Sequence, residues 1–291
     1  MKTTQRHNNK TANGLPLTSL FCAVSFCALS AQLPLEPTKE SGQGVTAAYE
    51  GWFKAADGGV YLLVGYFNRN TKQALDVPIG PDNRIEPGGP DMGQPTHFLP
   101  RRQWGVFTIK MPADVGDRKL TWTLSVNGQT TAIPMGLNPL YEVEPYKDAA
   151  QGNTPPSLRF EPAGAAAQGP PRGVAASLTA TAGTPVPLVL WATDDAVVDP
   201  DRKAGESPVT IKWSKYRGPG DVTFANAQPR VDKEAGQAST TATFTVAGDY
   251  MLRAQANDVS GEGGGGFQCC WTNAHVAVKV RADSRSRTAR H

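Results

Sequence analysis

Cysteine and histidine are scarce in this chain of 291 residues, which has four of each. Cys22 and Cys27 lie near the N-terminus, and only Cys269 and Cys270 remain for the rest of the chain. A single adjacent pair cannot form the disulfide framework of a small secreted scaffold. The stability of the protein must therefore come from packed apolar cores.

The common catalytic motifs are also missing from the sequence. There is no Gly-x-Ser-x-Gly nucleophile elbow, no His-Glu-x-x-His metal-binding helix and no phosphate-binding loop. The two interior histidines, His97 and His275, fall in different predicted domains. Two carboxylates for glycoside hydrolysis need not be close in the chain, and Asp82 and Glu86 are the pair that we nominate. The sequence favours a protein without enzymatic activity.

Long apolar runs are absent apart from one segment near the N-terminus. Three basic residues precede an apolar stretch at residues 15–29, which ends in the small residues of Ala28-Leu29-Ser30. This order is typical of a secretory signal peptide, here residues 1–30, and an uncleaved membrane anchor is the alternative. We expect an exported protein, periplasmic, cell-surface or secreted, with no stable membrane insertion after signal cleavage.

An excess of charge of either sign is absent from the expected mature chain. The whole sequence has 29 basic and 26 acidic residues. Because the signal peptide carries three of the basic residues and no acidic ones, the two signs then balance. This balance gives no basis for a nucleic-acid partner. The C-terminal residues 282–291 are basic and are predicted to form a disordered tail.

Glycine (30 residues) and proline (24 residues) are frequent, which favours many turns over long helices. From residue 45 to 145, short β-rich runs alternate with turn clusters. The clearest pair of runs flanks Asn127-Gly128, a strong hairpin signal because both central positions of a type I′ turn need positive φ. That turn pairs Trp122 with Ile133. The sequence predicts an antiparallel β-sandwich over residues 45–145.

The second half of the chain divides into two parts. Residues 146–183 are rich in proline, glycine and alanine and predict a linker, with a short strand at 157–160. Residues 184–281 contain five alternating segments and predict an immunoglobulin-like sandwich with Trp213 in its core and Tyr250 at a tyrosine corner. The predicted fold class is all-β, with two antiparallel β-sandwich domains joined by a Pro/Gly/Ala-rich linker.

A family resemblance supports the second domain. Residues 210–227 (TIKWSKYRGPGDVTFANA) and 239–258 (STTATFTVAGDYMLRAQAND) resemble the PKD-like and REJ-like immunoglobulin-fold modules of surface and exported proteins. Those modules typically read W-S-x-x-x-G-P-G-x-V-x-F, then T-x-A-T-F, then G-x-Y-x-L-x-x-x-A-x-D. The resemblance covers about residues 176–281 and implies an immunoglobulin fold. Such modules act mostly as spacers, adhesion units or accessories to other domains.

The segment from residue 65 to 107 brings aromatic residues together with charged ones and with several Gly-Pro pairs. Long loops on a sandwich are where binding sites usually lie. The aromatic residues and arginines could hold a sugar or a peptide; alternatively, the aromatic residues fill the core and the charges pair with each other. The candidate ligand-binding residues are Tyr66, Arg69, Arg84, Phe98, Arg101, Arg102 and Trp104. Replacing Arg101 and Arg102 is expected to leave folding intact.

Carboxylates also gather at predicted strand ends in the second domain. Asp194 and Asp195 follow one strand and Asp258 ends another. Sandwich domains of exported proteins often hold calcium at one pole, and calcium takes six to eight oxygen ligands. The alternative is that these acids are solvated or cap turns. Calcium, with these three residues as candidate ligands, is the only cofactor that the sequence suggests.

Cys269 and Cys270 are adjacent. On a regular strand, neighbouring side chains point to opposite faces, so the two sulfurs cannot bind one ion. Cys270 then points inward, whereas Cys269 and His275 point outward, about 20 Å apart along the strand. In an oxidising compartment the cysteines can close a vicinal disulfide; a buried and an exposed thiol, or pairing with another chain, are the alternatives. We favour the closed ring, in a structural role.

These features predict an exported binding or adhesion module whose partner is a glycan or an extracytoplasmic protein. A structural subunit of an envelope or extracellular assembly is the alternative, followed by a secreted hydrolase or redox protein. Exposed aromatic side chains would favour glycan binding, whereas a large apolar patch or an unpaired strand edge would favour assembly.

Overall fold

The computed structural model describes residues 38–112, 118–148, 152–195, 208–258, 260 and 269–283. Within these ranges the chain forms seventeen β-strands and one 3-10 turn at Pro139–Tyr141, without an α-helix. The all-β fold class is therefore confirmed. The predicted signal peptide and the basic tail from residue 284 onward lie outside the described residues. A search of the described ranges for a membrane-spanning helix finds none.

The N-terminal sandwich consists of two three-stranded antiparallel sheets. The first has the order β1-β2-β6, with β1 at Val45–Lys54, β2 at Val60–Asn68 and β6 at Arg101–Lys110. The second has the order β4-β7-β8, with β4 at Asn83–Glu86, β7 at Leu120–Val126 and β8 at Gln129–Met135. The short strands β3 (Leu75–Asp76) and β5 (His97–Phe98) pair with each other.

The core of this sandwich forms around Trp122, which is fully buried and meets the ring of Phe107 edge to face at 5.2 Å. The predicted hairpin is confirmed, because Trp122 pairs with Ile133. Its turn residues Asn127 and Gly128 have φ of 50° and 75°, as a type I′ turn requires.

The C-terminal sandwich has one five-stranded and one four-stranded sheet. The five-stranded sheet has the order β10-β9-β12-β15-β14, with strands at Ser157–Arg159 (β9), Ala167–Gln168 (β10), Val186–Thr193 (β12), Val222–Phe224 (β14) and Gln237–Phe244 (β15). The four-stranded sheet has the order β11-β17-β16-β13, with strands at Val174–Thr181 (β11), Thr210–Arg217 (β13), Gly248–Asn257 (β16) and Trp271–Arg281 (β17). This arrangement is an immunoglobulin-like sandwich. Trp213 is 2% exposed in its core, and the hydroxyl of Tyr250 donates to the backbone oxygen of Val246 at 2.9 Å, as in a tyrosine corner.

The segment predicted to be a linker forms strands that were not expected. Residues 146–183 contain β9, β10 and β11, and β11 pairs in parallel with β17. Ala176, Leu178 and Ala180 of β11 pack against the second core. Their side chains are mostly small, so the alternation of apolar residues that marks a strand is weak in the sequence. Part of the predicted linker therefore belongs to the second sandwich.

The outer face of the four-stranded sheet packs against β6 of the first sandwich. The amide of Asn273 donates to the backbone oxygen of Gly105 at 2.8 Å, and Arg253 donates to the side-chain oxygen of Gln103 at 2.5 Å. The ring of His275 lies 3.0 Å from the backbone oxygen of Val106. Asn273, Arg253 and His275 are all more than nine-tenths buried. The two sandwiches therefore share an extensive polar interface.

Two ion pairs lie at the margin of this interface. Lys215 of β13 binds Asp76 at 3.0 Å, and Arg217 binds Asp91 at 2.8 Å. The Nδ1 atom of His97 lies 3.0 Å from the same carboxylate of Asp76. Burial raises the pKa of Asp76, but the hydrogen bonds from His97 and Lys215 outweigh it and lower the pKa to about 2. The hydrogen bond from Arg217 likewise lowers the pKa of Asp91, so both carboxylates remain charged at neutral pH and link the two sandwiches.

Candidate functional site

A group of arginine and aromatic side chains lies where β2 and β6 pair near the end of the first sheet. The register places Phe67 opposite Arg102 and Asn68 opposite Arg101. Cross-strand partners share a face and lie about 5 Å apart at Cβ, so Phe67 and Arg102 share one face of the sheet and Asn68 and Arg101 share the other. We call this end of the strand pair the basic aromatic surface, and it consists of Phe67, Arg69, Arg101, Arg102 and Trp104.

Arg102 is fixed in place by hydrogen bonds. Its guanidinium lies 2.6 Å from a carboxylate oxygen of Glu50, whose side chain is 1% exposed. The same guanidinium donates to the backbone oxygens of Tyr66 and Gln103. It also lies over the ring of Trp104, 3.9 Å from the ring centre. Since an arginine stacked on an aromatic ring and paired with a carboxylate keeps one orientation, Arg102 and Trp104 form a fixed platform.

Glycine is required beneath this platform. The second carboxylate oxygen of Glu50 accepts a hydrogen bond from the backbone N–H of Gly105 at 2.8 Å. A Cβ at Gly65 would overlap the other oxygen of Glu50 and lie 2.7 Å from Arg102. The absence of a side chain at residue 65 therefore allows the buried carboxylate to reach the guanidinium.

Two further arginines flank the platform and are exposed to solvent. Arg69 and Arg101 form no ion pair with any residue in the described ranges. Arg101 has a φ of 69°, which is uncommon for a residue other than glycine, and its N–H donates to the backbone oxygen of Asn70 at 3.3 Å. Phe67 is 38% exposed beside them. The surface thus offers, next to an exposed ring, two positive charges that no described residue pairs with.

Four of the seven predicted ligand-binding residues, Arg69, Arg101, Arg102 and Trp104, lie at this end of β2 and β6, and their role in binding stays a prediction. Tyr66 and Phe98 belong to the core instead, at 2% and 0% exposure, with their rings edge to face at 4.9 Å. For these two, the alternative that aromatic residues of the segment fill the core is correct. The physical reason is the alternation of strand faces, which turns Tyr66 inward and its neighbour Phe67 outward.

Arg84 is separated from the basic aromatic surface. It lies on β4 of the second sheet and pairs with Glu86 at 2.9 Å. Glu86 is one of the two carboxylates nominated for hydrolysis, and this ion pair occupies it. Arg102 also differs from expectation, because its contacts with Glu50 give it a structural role. Glu50 itself was not predicted, since nothing local in the sequence marks a partner 52 residues away.

The candidate calcium ligands are engaged with neighbouring protein groups. Asp195 accepts hydrogen bonds from the N–H and hydroxyl of Thr154 at 2.9 and 2.8 Å. Asp258 is 5% exposed and accepts from the amide of Asn153 at 2.6 Å. Asp194 is half-buried. Within the described residues, no group of three or more histidine, cysteine or acidic side chains is placed to hold a metal ion. Calcium binding stays a prediction.

Cys269 and Cys270 form a vicinal disulfide across a cis peptide bond. Both residues are buried, at 4% and 1% exposure, and the sulfur of Cys270 lies 3.3 Å from the backbone oxygen of Asn153. Cys269 and His275 were expected to point outward, and they do point away from the core of the second sandwich, but not into solvent. The first sandwich covers that face, so His275 is 8% exposed. The burial of both sulfurs supports a structural role for the ring.

Comparisons with known proteins add little to this geometry. No family model matches the chain, and a search of curated proteins gives no significant match. The resemblance to PKD-like modules therefore stays a prediction at the level of the family.

Several solved structures match over most of the chain at low similarity. The D00-D0 domain of intimin is 10% identical with a TM-score of 0.27, and the match covers 81% of this chain and 99% of that one. A chimeric titin Z1Z2 is 10% identical with a TM-score of 0.24, covering 84% and 100%. The Yersinia pseudotuberculosis adhesin InvE is 12% identical with a TM-score of 0.25, covering 83% and 60%. At such TM-scores the function has to be argued from the site itself.

Proposed function

We propose that this protein is a non-enzymatic binding module that holds an acidic polysaccharide outside the cytoplasm. The observation that carries the proposal is the basic aromatic surface, in which Arg69 and Arg101 have no ion-pair partner among the described residues and lie beside a fixed Arg102–Trp104 platform. The ligand class is a glycan that carries carboxylate or sulfate groups.

The chemistry of the surface matches such a ligand. A guanidinium can donate two parallel hydrogen bonds to a carboxylate or a sulfate. The exposed ring of Phe67 offers an apolar face against which a sugar ring can pack. A neutral glycan would leave the two arginines without partners, so the charges favour an acidic one.

The conformation of Arg101 supports a role outside folding. Glycine adopts a φ near +69° without steric cost, whereas a residue with a Cβ is disfavoured there. Strained residues of this kind cluster at functional sites. Within the described part of the chain, the arginine at this position makes no ion pair that would offset its backbone cost, which favours a contact with a ligand.

An extracytoplasmic location fits the buried disulfide between Cys269 and Cys270. Structural disulfides persist in oxidising compartments and are rare in the cytosol. The predicted signal peptide at residues 1–30 points to the same location.

The test compares two variants in binding to immobilised polysaccharides. Arg69→Ala combined with Arg101→Gly removes both uncommitted charges, and the glycine suits the backbone of residue 101. Arg84→Ala removes one positive charge from the other sheet and is the control. We expect the double variant to lose at least about tenfold in affinity for heparin or alginate, equal to about 1.4 kcal/mol, while Arg84→Ala binds like the wild type. The proposal would be contradicted if the wild type bound neutral dextran as tightly as the acidic polysaccharides, or if Arg84→Ala lost as much affinity as the double variant.

A second candidate, a structural subunit of an assembly, is favoured by an apolar turn. Leu140 is 89% exposed and Tyr141 is 54% exposed. The turn is held by the indole of Trp52, which donates to the backbone oxygen of Asn138 at 2.7 Å, and by the Asn138 side chain, which accepts from the N–H of Leu140. If this turn joins copies of the chain, sedimentation shows self-association that Leu140→Asp abolishes. A wild-type monomer at all concentrations would exclude it.

A further inference from the structure

The strand β11 forms an unprotected edge of the second sandwich. Among the described strands it pairs only with β17, and the pairing is regular from Ala176 to Thr181. The other outer strands of this sandwich are protected. β10 and β14 have two and three residues, and β13 carries Lys212, Lys215 and Arg217. Proteins use short strands and charged residues of this kind to prevent edge pairing.

By contrast, β11 has eight residues, reads VAASLTAT, and contains neither a charge nor a proline. Its first residue, Val174, is 52% exposed. Such an edge presents a row of backbone N–H and C=O groups that can pair with another strand. The composition of β11 therefore suits an edge that is paired during function.

A groove opens between the two sheets directly beside this edge. It encloses about 390 Å³ and is lined by Ala176 and Leu178 of β11, by Phe160 after β9, and by the core residues Leu188 and Trp213. Leu188 and Trp213 are 1% and 2% exposed. The groove thus reaches from the free strand edge to the core of the sandwich.

Trp213, at the inner end of this groove, has an unmet hydrogen-bonding group. Its indole nitrogen is buried and donates to no group in the described part of the chain. A buried donor without an acceptor costs about 1–3 kcal/mol. Phe160 meets the indole edge to face at 6.2 Å and supplies no acceptor. The groove therefore has space and apolar walls, and a donor that has no partner among the described residues lies buried at its inner end.

We propose that β11 and this groove receive an extended peptide segment from a partner protein. The segment would pair its backbone with β11 and insert alternate side chains into the groove. This mode of recognition takes affinity from main-chain hydrogen bonds and specificity from side-chain pockets. It is independent of the polysaccharide site, which lies on the other sandwich.

The charges around the groove define the segment further. Among the described residues, Glu161 is the only charged one that lines the groove, and it is exposed. The inserted part of the segment is therefore uncharged and apolar at alternate positions, and a basic residue is suited to lie next to Glu161. A small apolar molecule could fill the groove, but it would leave the row of backbone groups on β11 unpaired.

Hydrogen exchange of the full chain with a synthetic peptide tests the proposal. The probe alternates valine with threonine and ends in lysine; the control peptide has proline in place of its central valine, which removes a backbone donor. We expect the probe to slow exchange of the amides in β11 by about tenfold or more, as new strand pairing does. The proline peptide has no such effect.

A groove-filling variant separates strand addition from other binding. Ala176→Leu occupies the mouth of the groove and should reduce probe affinity by about tenfold, while heparin binding stays unchanged. Ala132→Leu makes the same change on an exposed residue of β8 and should leave probe affinity unchanged. The proposal would be overturned if both peptides protected the β11 amides equally, or if Ala176→Leu bound the probe as tightly as the wild type. It would also be overturned if a hydrophobic dye bound in the groove while the probe left the exchange of the β11 amides unchanged.

Discussion

Lowering the pH should reduce the free energy of unfolding of the protein, because of His275, which lies in the interface between the sandwiches. The centre of the ring lies 4.3 Å from that of Tyr216, with the two planes tilted by 33°, and the ring contacts the backbone oxygen of Val106. Burial lowers the pKa of His275 to about 4; the Val106 oxygen opposes this, and the positive charges of Arg253 and Arg217 add to it. The imidazole is therefore neutral in the folded protein at physiological pH.

The sign of the effect follows from the unfolded chain, in which histidine has a pKa of about 6.5. Between pH 6.5 and 4 the unfolded state binds a proton that the folded state does not, so the stability contributed by a neutral His275 is present above pH 6.5 and lost as the pH falls towards 4. Each pH unit in this window costs about 1.4 kcal/mol. The expected loss is about 2 kcal/mol at pH 5 and about 3 kcal/mol in total.

Urea unfolding at several pH values between 7.5 and 4.5 measures this loss. His275→Gln keeps a donor for the Val106 oxygen but does not titrate, so its free energy of unfolding should fall less with pH than that of the wild type. The difference between the two slopes isolates His275 from the carboxylates. Parallel slopes between pH 7 and 5 would refute the reasoning, because they would mean that His275 is protonated equally in both states.

Three substitutions test other parts of the structure by urea unfolding. Glu50→Gln should cost about 2–3 kcal/mol, because it leaves the partly buried guanidinium of Arg102 without its counter-charge; an unchanged midpoint would contradict the fixed platform. Gly65→Ala should destabilise by at least about 1–3 kcal/mol, since the new Cβ overlaps the Glu50 carboxylate, and a neutral result would mean that the pair is not formed. Trp213→Ala should cost about 3–5 kcal/mol, and a small loss would show that this residue is not in the core.

Local signals in the sequence predicted the elements that depend on local chemistry. The turn at Asn127-Gly128 needs positive φ at both residues, and Trp213 and Tyr250 stand at recognisable places in alternating strands. The strand β11 was missed because alanine, serine and threonine give a weak alternation of polarity. Its place in the sheet comes from pairing with β17, about 100 residues later in the chain.

Only part of the candidate site could be predicted, again because the decisive contacts are not marked locally in the sequence. The sequence brought Arg69, Arg101 and Trp104 into one segment, but it did not show that Tyr66 faces the core. That assignment follows from the alternation of Leu62, Val64 and Tyr66 on the core face of β2, which is hidden in the sequence because nearly every residue of VYLLVGYF is apolar. The contact of Arg102 with Glu50 and the burial of His275 depend on residues distant in sequence. No local pattern encodes either of them.

The basic aromatic surface is tested most directly by mapping where an acidic oligosaccharide binds. In ¹H–¹⁵N spectra of the labelled protein, titration with a heparin or alginate oligosaccharide should shift the resonances of Phe67, Arg69 and Arg101 and the indole resonance of Trp104. Arg84 and the Leu140 turn should remain unchanged. Shifts confined to the Leu140 turn, or spectra that do not change at all, would contradict the proposed polysaccharide site.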